Sequence, residues 1–124
     1  MIVVDSSALI ALVRQEPGAA RVAAALSEAM VSAVILAESL SKLAALGYDA
    51  DEIRSQFAGA GLKVEAFGAD DVSTVVGLQE LAKRRVSLAD RSCLALALNR
   101  GLPVLTGDRN WADLGLPLKI ELIR

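Results

Sequence analysis

After Met1 the chain opens on three apolar residues, Ile2-Val3-Val4, and stops at the charge of Asp5. A short unbroken apolar run of this kind predicts a buried strand over residues 2–5. Ser6-Ser7 offers cap hydroxyls to a helix over 8–14. Pro17-Gly18 breaks that helix, and Pro17 suits the first turn of a second one running to about residue 29. Residues 30–32 predict a brief strand, after which Ser32 caps a helix through Leu46 that Gly47 closes. Asp49 and Glu52 have capping-box spacing for a short helix ending near residues 59–61. Residues 62–66 alternate as a half-exposed strand does, and Asp70 and Asp71 open one long helix reaching Arg85. Ser87 caps a further helix over 88–100, stopped by Gly101, before a compact apolar strand at 102–106 and a final alternating one at 119–123. No repeat, low-complexity tract or linker divides the chain, so a single domain over 1–124 is expected. Strands alternating with helices predict an α/β layered domain with a mostly parallel sheet.

Composition narrows the chemistry. With 124 residues, 54% of them apolar, the chain is able to build a core and is not disordered. A lone cysteine, Cys93, excludes a disulfide scaffold, and one Cys with no His excludes a closed zinc cage. Without histidine there is no Ser-His-Asp triad and no Cys-His pair. Hydrolysis near neutral pH is then left to carboxylates, lysine, hydroxyls or a hard metal held through oxygen. A net charge of −2 does not mark a nucleic-acid binder, and Tyr48, Phe57, Phe67 and Trp111 are too few for a base-stacking platform. Any affinity for nucleic acid must be local and helped by metal. The N-terminus carries no signal-like segment, and the longest nearly apolar stretch, 29–37, ends at Glu38, too short to span a bilayer. A soluble cytoplasmic protein with no membrane partner is expected. The mean hydropathy of +0.47 is high for a monomer and points to apolar faces covered by another chain.

In open parallel sheets ligands bind beyond the carboxyl ends of the strands, near the switch in strand order. Asp5 ends the first predicted strand, and Asp108 follows the strand at 102–106 across Gly107. Asp90 lies three residues into a helix whose start carries partial positive charge, and Glu38 sits amid Ile35, Leu36, Ala37 and Leu40. Each acid has a plainer reading. Asp5 serves as an N-cap, Asp90 completes a Ser87-x-x-Asp90 cap, Asp108 is a turn residue, and Glu38 shares a polar arc with Ser39, Ser41 and Lys42. Gathered in one cleft, four carboxylates require a cation, and oxygen-only ligands favour Mg²⁺ or Mn²⁺. Arg91 and Arg109 each follow one of these acids and are candidates for phosphate contacts, equally readable as surface ion-pair formers. Lys83-Arg84-Arg85 is able to touch phosphates but reads first as a complement to a helix C-terminus. Cys93 falls in an apolar stripe and Trp111 in the turn after Asp108, both as packing residues.

Four short segments carry a family resemblance. Ile2-Val3-Val4-Asp5-Ser6-Ser7-Ala8-Leu9, Ala37-Glu38, Leu88-Ala89-Asp90 and Leu105-Thr106-Gly107-Asp108 occur in the order and spacing that resemble PIN-domain ribonucleases, and among them the VapC toxins of type II toxin–antitoxin pairs. The resemblance runs over essentially the whole chain. It implies a three-layer α/β/α sandwich with a mostly parallel sheet of four or five strands, and an Mg²⁺- or Mn²⁺-dependent endoribonuclease acting on tRNA or ribosomal RNA. By position Asp5, Glu38, Asp90 and Asp108 would be its catalytic and metal-holding acids, with Thr106 and Ser6 in support. It also implies a homodimer silenced by a cognate antitoxin. The net negative charge would then require Arg14, Arg84, Arg85, Arg91 or Arg109 to gather on the phosphate-facing surface. Two other readings remain open. One is a non-catalytic α/β interaction module, its acids being caps and surface charges. The other is a phosphatase or phosphotransferase with Asp5 as nucleophile, although Ser7 stands where a dehalogenase-like site wants a second Asp.

Overall fold

In the middle of the sheet lie three short strands with almost no exposed surface: β1 (Ile2–Val4), β2 (Ala29–Ser32) and β4 (Val104–Thr106). Strands covered on both faces read as continuous apolar runs, as these do. The remaining two, β3 (Lys63–Glu65) and β5 (Ile120–Leu122), are the edges and are less covered. All pairings are parallel and the order is β3-β2-β1-β4-β5. The computed structural model describes all of residues 1–124. Flanking helices are α1 (Ser6–Arg14), α2 (Ala19–Ala25), α3 (Ala33–Ala45), α4 (Ala50–Gly59), α5 (Ala69–Gly77) and α6 (Leu88–Arg100). The result is an α/β/α arrangement with a five-stranded sheet, at the upper end of the predicted strand count. Its core joins Val3, Val4, Leu9, Val31, Ile35, Leu43, Leu94 and Leu105, and Trp111 packs into the same cluster.

The chain starts in the centre, steps outward through β2 to β3, and then crosses to the far side of β1 for β4 and β5. The switch in direction therefore lies between β1 and β4. At such a point the loops leaving adjacent strands part and leave a crevice beyond the carboxyl ends. Asp5 and Thr106 stand at its two lips.

Several boundaries differ from the sequence expectation. The cap of α1 is the Asp5 side chain, which accepts from the Ala8 amide at 3.2 Å, rather than Ser6-Ser7. Pro17 lies ahead of the second helix, which starts at Ala19 after Gly18 in a left-handed conformation (φ 96°) and gives way to a 3-10 turn at Leu26–Glu28. The segment expected as one helix from Asp70 to Arg85 is two, α5 and a 3-10 helix at Gln79–Arg84. Four of the five residues from Val72 to Val76 are β-branched and Gly77 follows them, a stretch of low helix propensity, and the break falls after it. In β3 the expected alternation does not bury Val64, which is 50% exposed on the sheet edge.

Candidate active site

Asp5 is the most deeply set of the acids, with 3% of its surface exposed. Three donors hold it. Ser7 Oγ donates to Oδ1 at 2.7 Å, the Ala8 amide to the same oxygen, and Thr106 Oγ1 to Oδ2 at 2.9 Å. Each hydroxyl is itself fixed by a backbone amide that donates to it: Gly107 N to Ser7 Oγ at 2.7 Å and Asp108 N to Thr106 Oγ1 at 3.0 Å. A hydroxyl has one proton, so with both protons directed at Asp5 the 3.3 Å approach of Ser7 to Thr106 is a contact and not a further bond. Ser6, the hydroxyl implied as support, makes no hydrogen bond although its Oγ is buried. The supporting hydroxyl is Ser7, because the first turn of α1 begins at Ser6 and carries Ser7 towards the β4 end.

Asp90 and Ser87 form the reciprocal cap of α6, Ser87 N donating to Asp90 Oδ2 at 3.0 Å and Asp90 N to Ser87 Oγ at 3.1 Å. Asp108 caps the 3-10 helix Arg109–Asp113 by accepting from the Asn110 amide at 2.9 Å. The plainer capping readings of Asp5, Asp90 and Asp108 thus all hold, and they fix the positions of the carboxylates. Glu38 lies half-buried at the edge of the expected polar arc: Ser41 and Lys42 are exposed, but Ser39 is fully buried and donates to Ile35 O. Its Oε1 meets Lys42 Nζ at 2.7 Å, and its Oε2 is buried without a hydrogen-bond partner.

These four acids line one cleft of about 480 Å³, together with Ser6, Ser7, Ile10, Ser87 and a fifth carboxylate, Glu16. They feel one another. Burial pushes the Asp5 carboxyl up to about 6 against the three hydrogen bonds that favour its anion, and the charge of Asp90 adds to the rise. Burial likewise raises Asp90, and Glu38 and Asp108 add to it. Beneath them Cys93 is fully buried in the core, its thiol pushed up first by burial and then by the charges of Asp5, Asp90 and Glu38. As the side chains stand, no three acids converge closely enough to hold one ion between them. The donor set nevertheless suits a hard divalent cation. Its ligand atoms are all oxygen, and two buried oxygens in the cleft, Glu38 Oε2 and Ser6 Oγ, have nothing to satisfy them.

The cations of the cleft are Lys42 and Arg124. Arg124 donates to Pro17 O at 3.0 Å, and its guanidinium lies so near Gly107 that a Cβ there would sit 3.1 Å from Nη2. Neither Arg91 nor Arg109 lines the cleft. Arg91 turns back so that Nε donates to Ser87 O, and Arg109 is exposed at the start of its 3-10 helix. Arg14 pairs loosely with Glu16 at 3.7 Å. The sequence gives no signal for Arg124, which is brought in by β5, or for Glu16, which follows the end of α1.

Comparison with known proteins accounts for the fold. Over its full length the chain superposes on a chain of the DNA-bound VapBC structure from Salmonella typhimurium, with a TM-score of 0.72 at 19% identity, covering 100% of both. VapC20 of Mycobacterium tuberculosis, a sarcin-ricin loop cleaving toxin, gives 0.70 at 17% identity over 94% of this chain and 96% of its own. A chain of VapBC-5 from the same organism gives 0.57 at 26% identity over 99% and 97%. A search of curated proteins found no match. The sequence pattern of the PIN domain matches residues 2–116, a span that holds all five cleft acids and both hydroxyls on Asp5, and the chain belongs to the PIN-domain family.

Proposed function

We propose that this protein is a metal-dependent endoribonuclease, the toxin of a type II toxin–antitoxin pair, that hydrolyses RNA phosphodiester bonds in the cleft of Asp5, Glu38, Asp90 and Asp108. One observation carries the reading. Four carboxylates from four separate segments line a single cleft at the switch point of the sheet, in a chain with no histidine. Membership of the PIN-domain family and the likeness to VapBC chains and VapC20 support it. Asp5 and Asp90 would hold Mg²⁺ or Mn²⁺, with Glu38 and Asp108 completing the donor set. When bound, such an ion lowers the pKa of a water and neutralises charge on a phosphoryl oxygen. The chain's own residues prepare the site. Ser7 and Thr106 keep both Asp5 oxygens in place, Ser87 orients Asp90, and Lys42 holds one Glu38 oxygen while leaving the other unengaged. The substrate is tRNA or ribosomal RNA, and the protein works as a cytoplasmic homodimer silenced by a cognate antitoxin.

Incubation of total RNA with the protein and Mn²⁺ or Mg²⁺ is expected to give discrete cleavage, lost in Asp5→Asn and in Asp90→Asn. Activity that survives both substitutions would overturn the assignment. Binding should also show without catalysis. At about 100 times its dissociation constant, Mn²⁺ is expected to stabilise the native protein by roughly 2.7 kcal/mol in a thermal melt. A melt indifferent to Mn²⁺ would instead favour a non-catalytic interaction module.

A further inference from the structure

A cleft rimmed by acids in a chain of net charge −2 repels a polyanion, so a strand of RNA needs a foothold elsewhere on the surface. A groove of about 340 Å³ is lined by Lys83, Arg84, Arg85 and Asn110 alone, with no apolar side chain. Its position is set by chain continuity. Arg85 stands two residues before Ser87 and Asn110 two after Asp108, and Ser87 and Asp108 both line the acidic cleft. Two residues of extended chain span about 7 Å, which leaves the two depressions side by side.

The walls of the groove are held. Arg84 donates through Nη1 to Asp113 O at 3.1 Å and through Nη2 to Asp113 Oδ1 at 3.0 Å. The Asn110 amide is tied to Asp108 itself. Lys83 meets Glu80 at 2.9 Å, both largely in solvent. Arg85 differs from the others. It makes no ion pair or side-chain hydrogen bond and caps its 3-10 helix in the left-handed region at φ 62°, where glycine is the usual and less strained residue. The guanidinium of Arg85, at a left-handed backbone position beside the mouth of the cleft and with no protein partner, is free to meet a ligand's charge.

We propose that this groove binds backbone phosphates of the RNA strand flanking the bond to be cut, with Arg85 as the main contact and Lys83 beside it. The proposal rests on the ribonuclease reading above. The absence of apolar lining favours a polyanion backbone over a packed protein helix.

The test is fluorescence anisotropy of a labelled single-stranded RNA on the full chain carrying Asp90→Asn, across a salt series. Adding Arg85→Gly, which relieves the backbone and keeps the fold, is expected to weaken binding several-fold. It should also flatten the slope of log K against log salt by about 0.7, the value for one phosphate contact. Adding Lys83→Gln should flatten it further, and Arg85→Lys should restore most of the slope. Arg54→Gln, on the exposed face of α4, makes the same change in net charge and should leave the slope as it was. In the otherwise native protein Arg85→Gly should raise KM for cleavage with kcat unchanged. Equal slopes for Arg85→Gly and Arg54→Gln, in a protein that cleaves RNA, overturn the groove and leave the nuclease standing. Retained RNA affinity with lost binding of a polyglutamate peptide assigns the groove to an acidic protein and also overturns the proposal. A parent chain that neither binds nor cuts RNA overturns both.

Discussion

Asp5 answers two opposed demands, and at the scale of single residues the site follows from them. It is buried enough to be costly as an anion, and it is held by three donors that favour the anion. The cost wins: the folded protein binds a proton at Asp5 more tightly than the unfolded chain does, near pH 6 against an ordinary 3.8. Above pH 6 the ionised carboxylate therefore opposes folding, and the opposition fades as pH falls through 6 towards 3.8. With metal chelated by EDTA, Asp5→Asn is expected to be more stable than the native protein at pH 7.5, by up to roughly 3 kcal/mol. The advantage should disappear near pH 4, as urea melts at the two pH values would show. Added Mn²⁺ should reverse the order, because only the native side chain gains from the ion. Ser7→Ala removes one donor to Asp5 and the acceptor of the Gly107 amide, and is expected to cost about 1–2 kcal/mol and most of the RNA cleavage. Ser6→Ala deletes a hydroxyl with no partner and should not destabilise the apo protein in the same melt. The two serines are indistinguishable by composition. Only the start of α1 at residue 6 decides which one faces Thr106.

At the scale of elements, what was legible in the sequence was local. Apolar runs of three to five residues gave the central strands, and Ser32, Asp49 and Ser87 cap the helices their spacing predicts because each acts within three residues of itself. The β-branched stretch and Gly77 mark a weak point locally, but the form of the segment beyond them was not legible. The 3-10 turns that follow are fastened by Arg84 to Asp113, 29 residues further on, which no local pattern reports. The same holds for Gly18. Its positive φ makes it the start of α2, but its stronger constraint is distant: a Cβ there would lie 2.6 Å from the carbonyl oxygen of Ile123. Gly18→Ala therefore meets backbone strain and a collision with a strand neighbour that is itself backbone. It is expected to lose roughly 2–4 kcal/mol in a denaturant melt. Gly47→Ala, also at positive φ but with open space around it, should lose less.

At the scale of the whole molecule, the location of the site was readable and its electrostatics were not. Acids at the ends of two predicted strands mark the switch point, since a parallel sheet places every strand end on the same side. The cations are another matter. Those following the acids in sequence, Arg91 and Arg109, do not line the cleft, while Lys42 comes to it from α3 and Arg124 from just past the last strand. Sequence adjacency says little about which way a side chain leaves a helix. The pairing of β1 with β4 carries a consequence for how the activity arises. Asp5 and the hydroxyl that anchors its second oxygen are 101 residues apart, and nothing brings them together except the closing of the sheet's centre. A chain still emerging during synthesis already holds Asp5, Glu38 and Asp90, yet Asp5 lacks its second anchor until residues 104–106 pair with the first strand. If the finished enzyme poisons its host, clones that survive its expression should carry lesions in that late strand about as often as in the acids, and sequencing survivors of a random library would count them.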